Sequence, residues 1–136
     1  MDLQTSFVSG YRLIDGGETL SLKNAVESAT TGIVPNPAGA QATAVPLTAH
    51  INEITSAVLN AAVMLPAAVP GLSVVVVNDS AVTIQVFANP ANPNNNMQGD
   101  TIVGAGVLTT ANVTTIATGV TARFYAMSLN RWKQTV

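Results

Sequence analysis

The segment LSVVVVNDSAVTIQVFA, Leu72 to Ala88, decides the fold class. Its first part, LSVVVVN, is an unbroken β-branched run of the kind found in a central strand covered on both faces. After the turn residues NDSA, the second part alternates. Val82, Ile84 and Val86 fall on one face and Thr83 and Gln85 on the other, the period of a strand buried on one side.

Working outward, the same period returns near the C-terminus. In VTARFYAMS, Ala122, Phe124 and Ala126 share one face, while Thr121, Arg123, Tyr125 and Met127 share the other. Leu129 and Asn130 supply a hairpin turn into RWKQTV, where Trp132 reads as a core plug with Arg131 and Lys133 outside, the alternative being a contact patch of Arg123, Arg131, Trp132 and Lys133. Leu47 to Thr55 and Ala61 to Leu65 read as weaker strands. Short strands at this spacing predict a mainly β protein, a jelly-roll-like β-sandwich over residues 47–136. No repeat of fixed length is apparent.

Residues 1–46 differ in texture. Leu22, Ala25, Val26 and Ala29 fall at the spacing of one helix face, with Thr19 or Ser21 as cap. An Asp-Gly turn at Asp15 with flanking strands Arg12–Ile14 and Thr19–Leu22 accounts for the same stretch, so helix and hairpin both stand. TTGIVPNPAGAQATAVP, Thr30 to Pro46, predicts an extended arm or linker stiffened by Pro35 and Pro37. The sandwich is thus expected to carry an N-terminal arm and at most one short helix.

Composition narrows the function. Of 136 residues, 48% are hydrophobic but only 9% are charged, against about a quarter in ordinary soluble domains. Thr, Ser, Asn and Gln take the place of charge. A paired hydroxyl or amide is less costly to bury than a charge, so such an exterior suits close contact with other protein. Five basic and seven acidic residues give a net charge of −2, no footprint for nucleic acid. No cysteine is present, which removes disulfides and thiolate chemistry. The most apolar stretch, Ala61 to Val77, is interrupted by Pro66, Pro70 and Gly71, so no membrane span is expected. The first residues lack the basic and apolar regions of a secretory signal. Synthesis in a cytoplasm follows as an expectation.

Catalysis finds few materials. His50, the single histidine, and Glu53 point to opposite faces of a strand, and the other acids are scattered without a carboxylate pair. Neither a phosphate loop nor a nucleophile elbow nor a paired-His motif occurs. The expectation is a protein that is not an enzyme and carries no cofactor. FANPANPNNNMQGD, Phe87 to Asp100, holds five asparagines, two prolines and one acid. Pro90 and Pro93 forbid ladder pairing, so the stretch belongs at the rim of a sheet. One carboxylate does not make a calcium loop. Uncharged amides suit contact with protein or glycan.

The order LPAAVPGLSVVVVNDSAVTIQVFANP, GDTIVG, IATGVTARFYAMSLNRWKQ resembles a pattern of virion proteins of tailed bacteriophages. Its positions here are Leu65, Pro66, Gly71, Asn78, Pro90, Gly99, Asp100, Ile102, Gly119, Phe124 and Trp132, and it covers roughly the C-terminal two-thirds of the chain. The Asn-rich insertion before Gly99 departs from the shorter loop of that pattern. Small capsid cement or decoration proteins are among the proteins resembled. The resemblance implies a homodimer or homotrimer on the exterior of the virion capsid that bridges subunits of a major capsid protein, without nucleic acid or membrane as partner. The expected interface comprises Tyr11, Arg12, Leu13, Ile33, Val34, Asn94, Asn95, Asn96, Arg123 and Arg131. A receptor- or glycan-binding module of a tail fibre or spike is the alternative.

Overall fold

The structure, a computed structural model, describes residues 28–136. Tyr11, Arg12 and Leu13 lie outside it, as does the helix-or-hairpin stretch apart from Ser28 and Ala29.

Eleven strands make up the described chain: β1 Ala29–Ile33, β2 Val45–Pro46, β3 Ile51–Ile54, β4 Ala62–Met64, β5 Ser73–Asn78, β6 Ile84–Phe87, β7 Thr101–Val103, β8 Thr110–Ala111, β9 Val113–Ile116, β10 Thr121–Ser128 and β11 Arg131–Thr135. They form a seven-stranded sheet, β1-β3-β5-β10-β11-β7-β8, and a four-stranded sheet, β2-β4-β6-β9. The mainly β sandwich expected from the sequence is what forms.

Connectivity is the unexpected part. From β1 to β6 the chain alternates between the two sheets, so that β1, β3 and β5 pair in parallel in one and β2, β4 and β6 in the other. A jelly roll is antiparallel, whereas this half winds as a coil. Ala29, Ile51 and Val75 stack across the large sheet in steps of 22 and 24 residues. Val45, Val63 and Val86 stack in the small sheet in steps of 18 and 23. Unequal steps explain why no fixed repeat shows in the sequence. The second half is mostly antiparallel, with β10 antiparallel to both β5 and β11, β9 to β6 and β8 to β7, while β7 and β11 pair in parallel.

Residues 29–46 belong to this coil. β1 is one edge of the large sheet and β2 one edge of the small sheet, so the segment read as an extended arm is extended and docks on its own domain. Asn36 adds an antiparallel bridge to Ala62.

Between the sheets lie Trp132, Phe124, Ile54, Leu65, Ile84, Ile102 and Ile116, all fully buried, with Val63, Val74, Val76 and Val86. Each such side chain contributes roughly 1.5–3 kcal/mol relative to exposure. Trp132 is the core plug its strand pattern indicated. A smaller cluster, Ala44, Ala62 and Phe87 with Met64 and Val113, sits apart from the main core.

Candidate protein-contact surface

β5, β7 and β11 begin, and β10 ends, at the same end of the large sheet, because Ser73 pairs with Tyr125, Ser128 with Arg131 and Arg131 with Thr101. The connections 65–72, 88–100 and 129–130 close this end, the rim of the sandwich. Asn92 stitches them together. Fully buried, it donates through Nδ2 to the carbonyls of Ala68 (3.0 Å) and Leu129 (2.7 Å) and to Asp100 Oδ1 (2.9 Å). Its Oδ1 accepts from the Asn94 amide at 2.8 Å and caps a single 3-10 turn, Pro93–Asn95.

Asp100 is nearly as buried. Its second oxygen accepts the Ala68 amide at 2.7 Å, and its own amide donates to the Asn89 carbonyl. A buried carboxylate is tolerable only when hydrogen bonds replace its water. Both oxygens here are engaged by N–H donors, so the one acid of the Asn-rich stretch is a fastening. Among the described residues, no group of three or more His, Cys, Asp or Glu could hold a metal ion.

What the fastening presents is neutral. Asn94, Asn96, Met97 and Gln98 are exposed at the loop tip, and Asn96 and Met97 adopt left-handed backbone at φ 52° and 61°. Five large apolar side chains are exposed at the same end: Val69, Leu72, Met97, Met127 and Leu129. Backbone bonds hold their surroundings, with Gly71 donating to the Ala126 carbonyl and Ala126 to that of Leu72. Such side chains on a hydrogen-bonded frame can contact an uncharged protein surface with little ordering cost. Trp132 Nε1, buried in the core, has no hydrogen-bond partner.

The residues expected at an interface divide between the two ends. Asn94, Asn95, Asn96 and Arg131 lie at the rim. Ile33, half-buried against the core, and the exposed Val34 lie at the opposite end, since β1 runs parallel to β5. Arg123 lies toward that end on the outer face of the large sheet, its guanidinium 6.0 Å from the Tyr125 ring centroid and bonded to the Tyr125 hydroxyl at 3.3 Å. Sequence reasoning missed the apolar rim residues. Met127 alone had a signal, its outward place in the alternation of β10.

The opposite end carries the acids of the coil. Glu53 accepts from the Thr31 hydroxyl. A hydrogen bond with Glu53, then partial desolvation, then repulsion from that carboxylate hold the exposed Asp79 carboxyl above its ordinary range. His50 is half-buried beside β3, and its amide donates to Ser28 Oγ.

The fold is a β-sandwich with a coiled half and a latched loop at its rim. No family model, curated protein or solved structure matches the chain. None of its described helices is long and apolar enough to cross a membrane.

Proposed function

We propose that this is a structural virion protein that binds the outside of a tailed-bacteriophage head through its rim and stabilises the shell by bridging major capsid protein subunits. The observation that carries the contact role is the rim itself, a latched frame exposing Val69, Leu72, Met97, Met127 and Leu129 among uncharged amides. The virion setting is supported by the resemblance in turn and core positions. Those positions are ones this fold depends on: Asn78 and Asp100 are buried and hydrogen-bonded, Gly71 and Gly119 have positive φ, and Phe124 and Trp132 fill the core.

Bound across a junction between subunits, the rim would add contacts that an expanding shell must break. Preference for the mature shell stabilises that shell by mass action. Assembly as a dimer or trimer would multiply those contacts.

Co-sedimentation with purified empty phage heads tests the reading. The wild-type chain is expected to pellet with heads, and a Met97→Asp, Leu129→Asp variant to remain in the supernatant with its fold intact by circular dichroism. Equal pelleting of the variant removes the rim from the interface. Absence of pelleting together with retention on host cells would replace cement by a receptor- or glycan-binding role.

A further inference from the structure

The sandwich has four lateral strand edges, and three of them are blunted. Along β1 the register breaks between Thr30 and Ile33, where Gly32 takes φ +72°. β2 is two residues long and ends in Pro46, which has no amide hydrogen, and β8 is also two residues long. Bulges, proline and shortness are the ordinary ways a sheet edge is kept from pairing. β9 has none of these. Its four residues, Val113, Thr114, Thr115 and Ile116, are all β-branched and uncharged.

The orientation of its backbone follows from the ladder. Gln85 donates to the Ala61 carbonyl and Phe87 accepts from Leu65, so both turn toward β4, and Ile84, Val86 and Ala88 turn toward β9. The Ala88 amide reaches the Asn112 carbonyl, and Val86 lies opposite Thr114. In an antiparallel ladder, the intervening Val113 and Thr115 then point their N–H and C=O groups away from β6. Among the described residues no strand receives them.

Beside this edge lies a cleft of about 670 Å³, a size that holds a ligand or a short peptide. Ile102, Ile116 and Val120 line it with Val107 and Ala111, and none of its lining residues is charged. Gln134 Oε1 fixes its base, accepting from the Thr114 hydroxyl at 2.6 Å and the Ala105 amide at 3.3 Å. Leu108, next to Val107, is 98% exposed.

We infer that the β9 edge and this cleft form a strand-addition site for an extended, uncharged segment of a partner protein. The backbone of the segment pairs with Val113 and Thr115, and every second side chain enters the cleft. Charge decides the occupant's chemistry: an ionised side chain entering the cleft would lose its water among uncharged lining side chains, and the Lys133 ammonium beside it is already held by the carbonyls of Gly104 and Val107. The site goes beyond the head-binding reading and stands on a different part of the molecule.

The test uses the full chain and a neutral probe peptide, acetyl-Thr-Val-Thr-Val-Thr-Val-amide, followed by NMR amide exchange. Val113 and Thr115 amides are expected to exchange quickly in the free protein and at least tenfold more slowly with saturating peptide. A peptide N-methylated at alternate residues, or the variant Thr115→Lys, should lose at least tenfold in affinity. Three outcomes overturn the proposal: equal binding of the N-methylated peptide, peptide-induced shifts confined to other residues, or full protection of both amides before peptide is added. The last would mean that residues 1–27 or a second copy already holds the edge.

Discussion

Each end of the sandwich is closed by a fully buried asparagine, and the two hold different things. Asn78 donates to the carbonyls of Val82 and Ile116 and accepts from the amide and hydroxyl of Ser80, closing the tight β5–β6 turn. Asn92 makes as many bonds, but with them it holds a long loop whose tip carries exposed amides and Met97. The same side chain thus makes one end flush and the other protruding. The acids differ in the same way. Asp100 is buried and comfortable between N–H donors, whereas Asp79 is exposed and strained by Glu53. Exposure is therefore a poor guide to which acid is structural; the donors around it decide.

The largest effects should come from removing the latches. Asn92→Ala strands the Ala68 and Leu129 carbonyls and deprives Asp100 of a donor, so a loss of about 2–4 kcal/mol is expected in urea unfolding. Asn78→Ala should fall in the same range. The comparison breaks if Asn92→Ala loses under about 1 kcal/mol, because the loop would then be held by something other than its latch.

Glycines sharpen the contrast next. At the opposite end, Gly39 has φ +63°, and a Cβ there would lie 2.8 Å from the Asn60 carbonyl oxygen. At the rim, Gly71 has φ +89° with open space around it. Gly71→Ala should therefore cost about 1 kcal/mol from left-handed backbone alone, and Gly39→Ala about 2–3 kcal/mol because backbone must also move. Equal losses in thermal unfolding would show that crowding at Gly39 relaxes freely.

A smaller effect of opposite sign belongs to Met97. An unbranched apolar side chain at φ 61° is held against its preference, and asparagine tolerates that region. Met97→Asn is expected to raise stability by about 0.5–1 kcal/mol while weakening binding to heads. Stability and binding falling together would mean that Met97 packs on its own loop.

The β10–β11 hairpin was legible in the sequence, because a two-residue turn joins its strands and each is buried on one face. The alternation in β10 placed Ala122, Phe124 and Ala126 inside, and Leu129–Asn130 marked the hairpin turn. The coil was not legible. Parallel ladders join strands about 20 residues apart with unequal steps, and β1 and β2, polar or two residues long, have no apolar signature. The rim was half legible: proline and asparagine placed the loop, but Asn92 and Asp100 are residue types expected outside. Their burial depends on partners that only the folded chain brings near: the Ala68 amide for Asp100, and the carbonyls of Ala68 and Leu129 for Asn92.

The finest test concerns the acid at the other end. Because Glu53 holds the Asp79 carboxyl above its ordinary range, the folded protein keeps this proton more tightly than the unfolded chain does. Between the ordinary carboxylate range and the raised value, the folded state binds more protons, so stability falls as pH rises through that window. Above the window the full repulsion remains. Asp79→Asn removes it, so the variant should melt above wild type at pH 7, with the difference closing as the medium is acidified below the ordinary carboxylate range. The Asp79 side chain is exposed and salt screens it, so the gain should shrink at high ionic strength. A melting difference independent of pH would place the effect in turn packing. A variant less stable than wild type at pH 7 would mean that Asp79 and Glu53 share a proton to the benefit of the fold, which would remove the distinction drawn between the two acids.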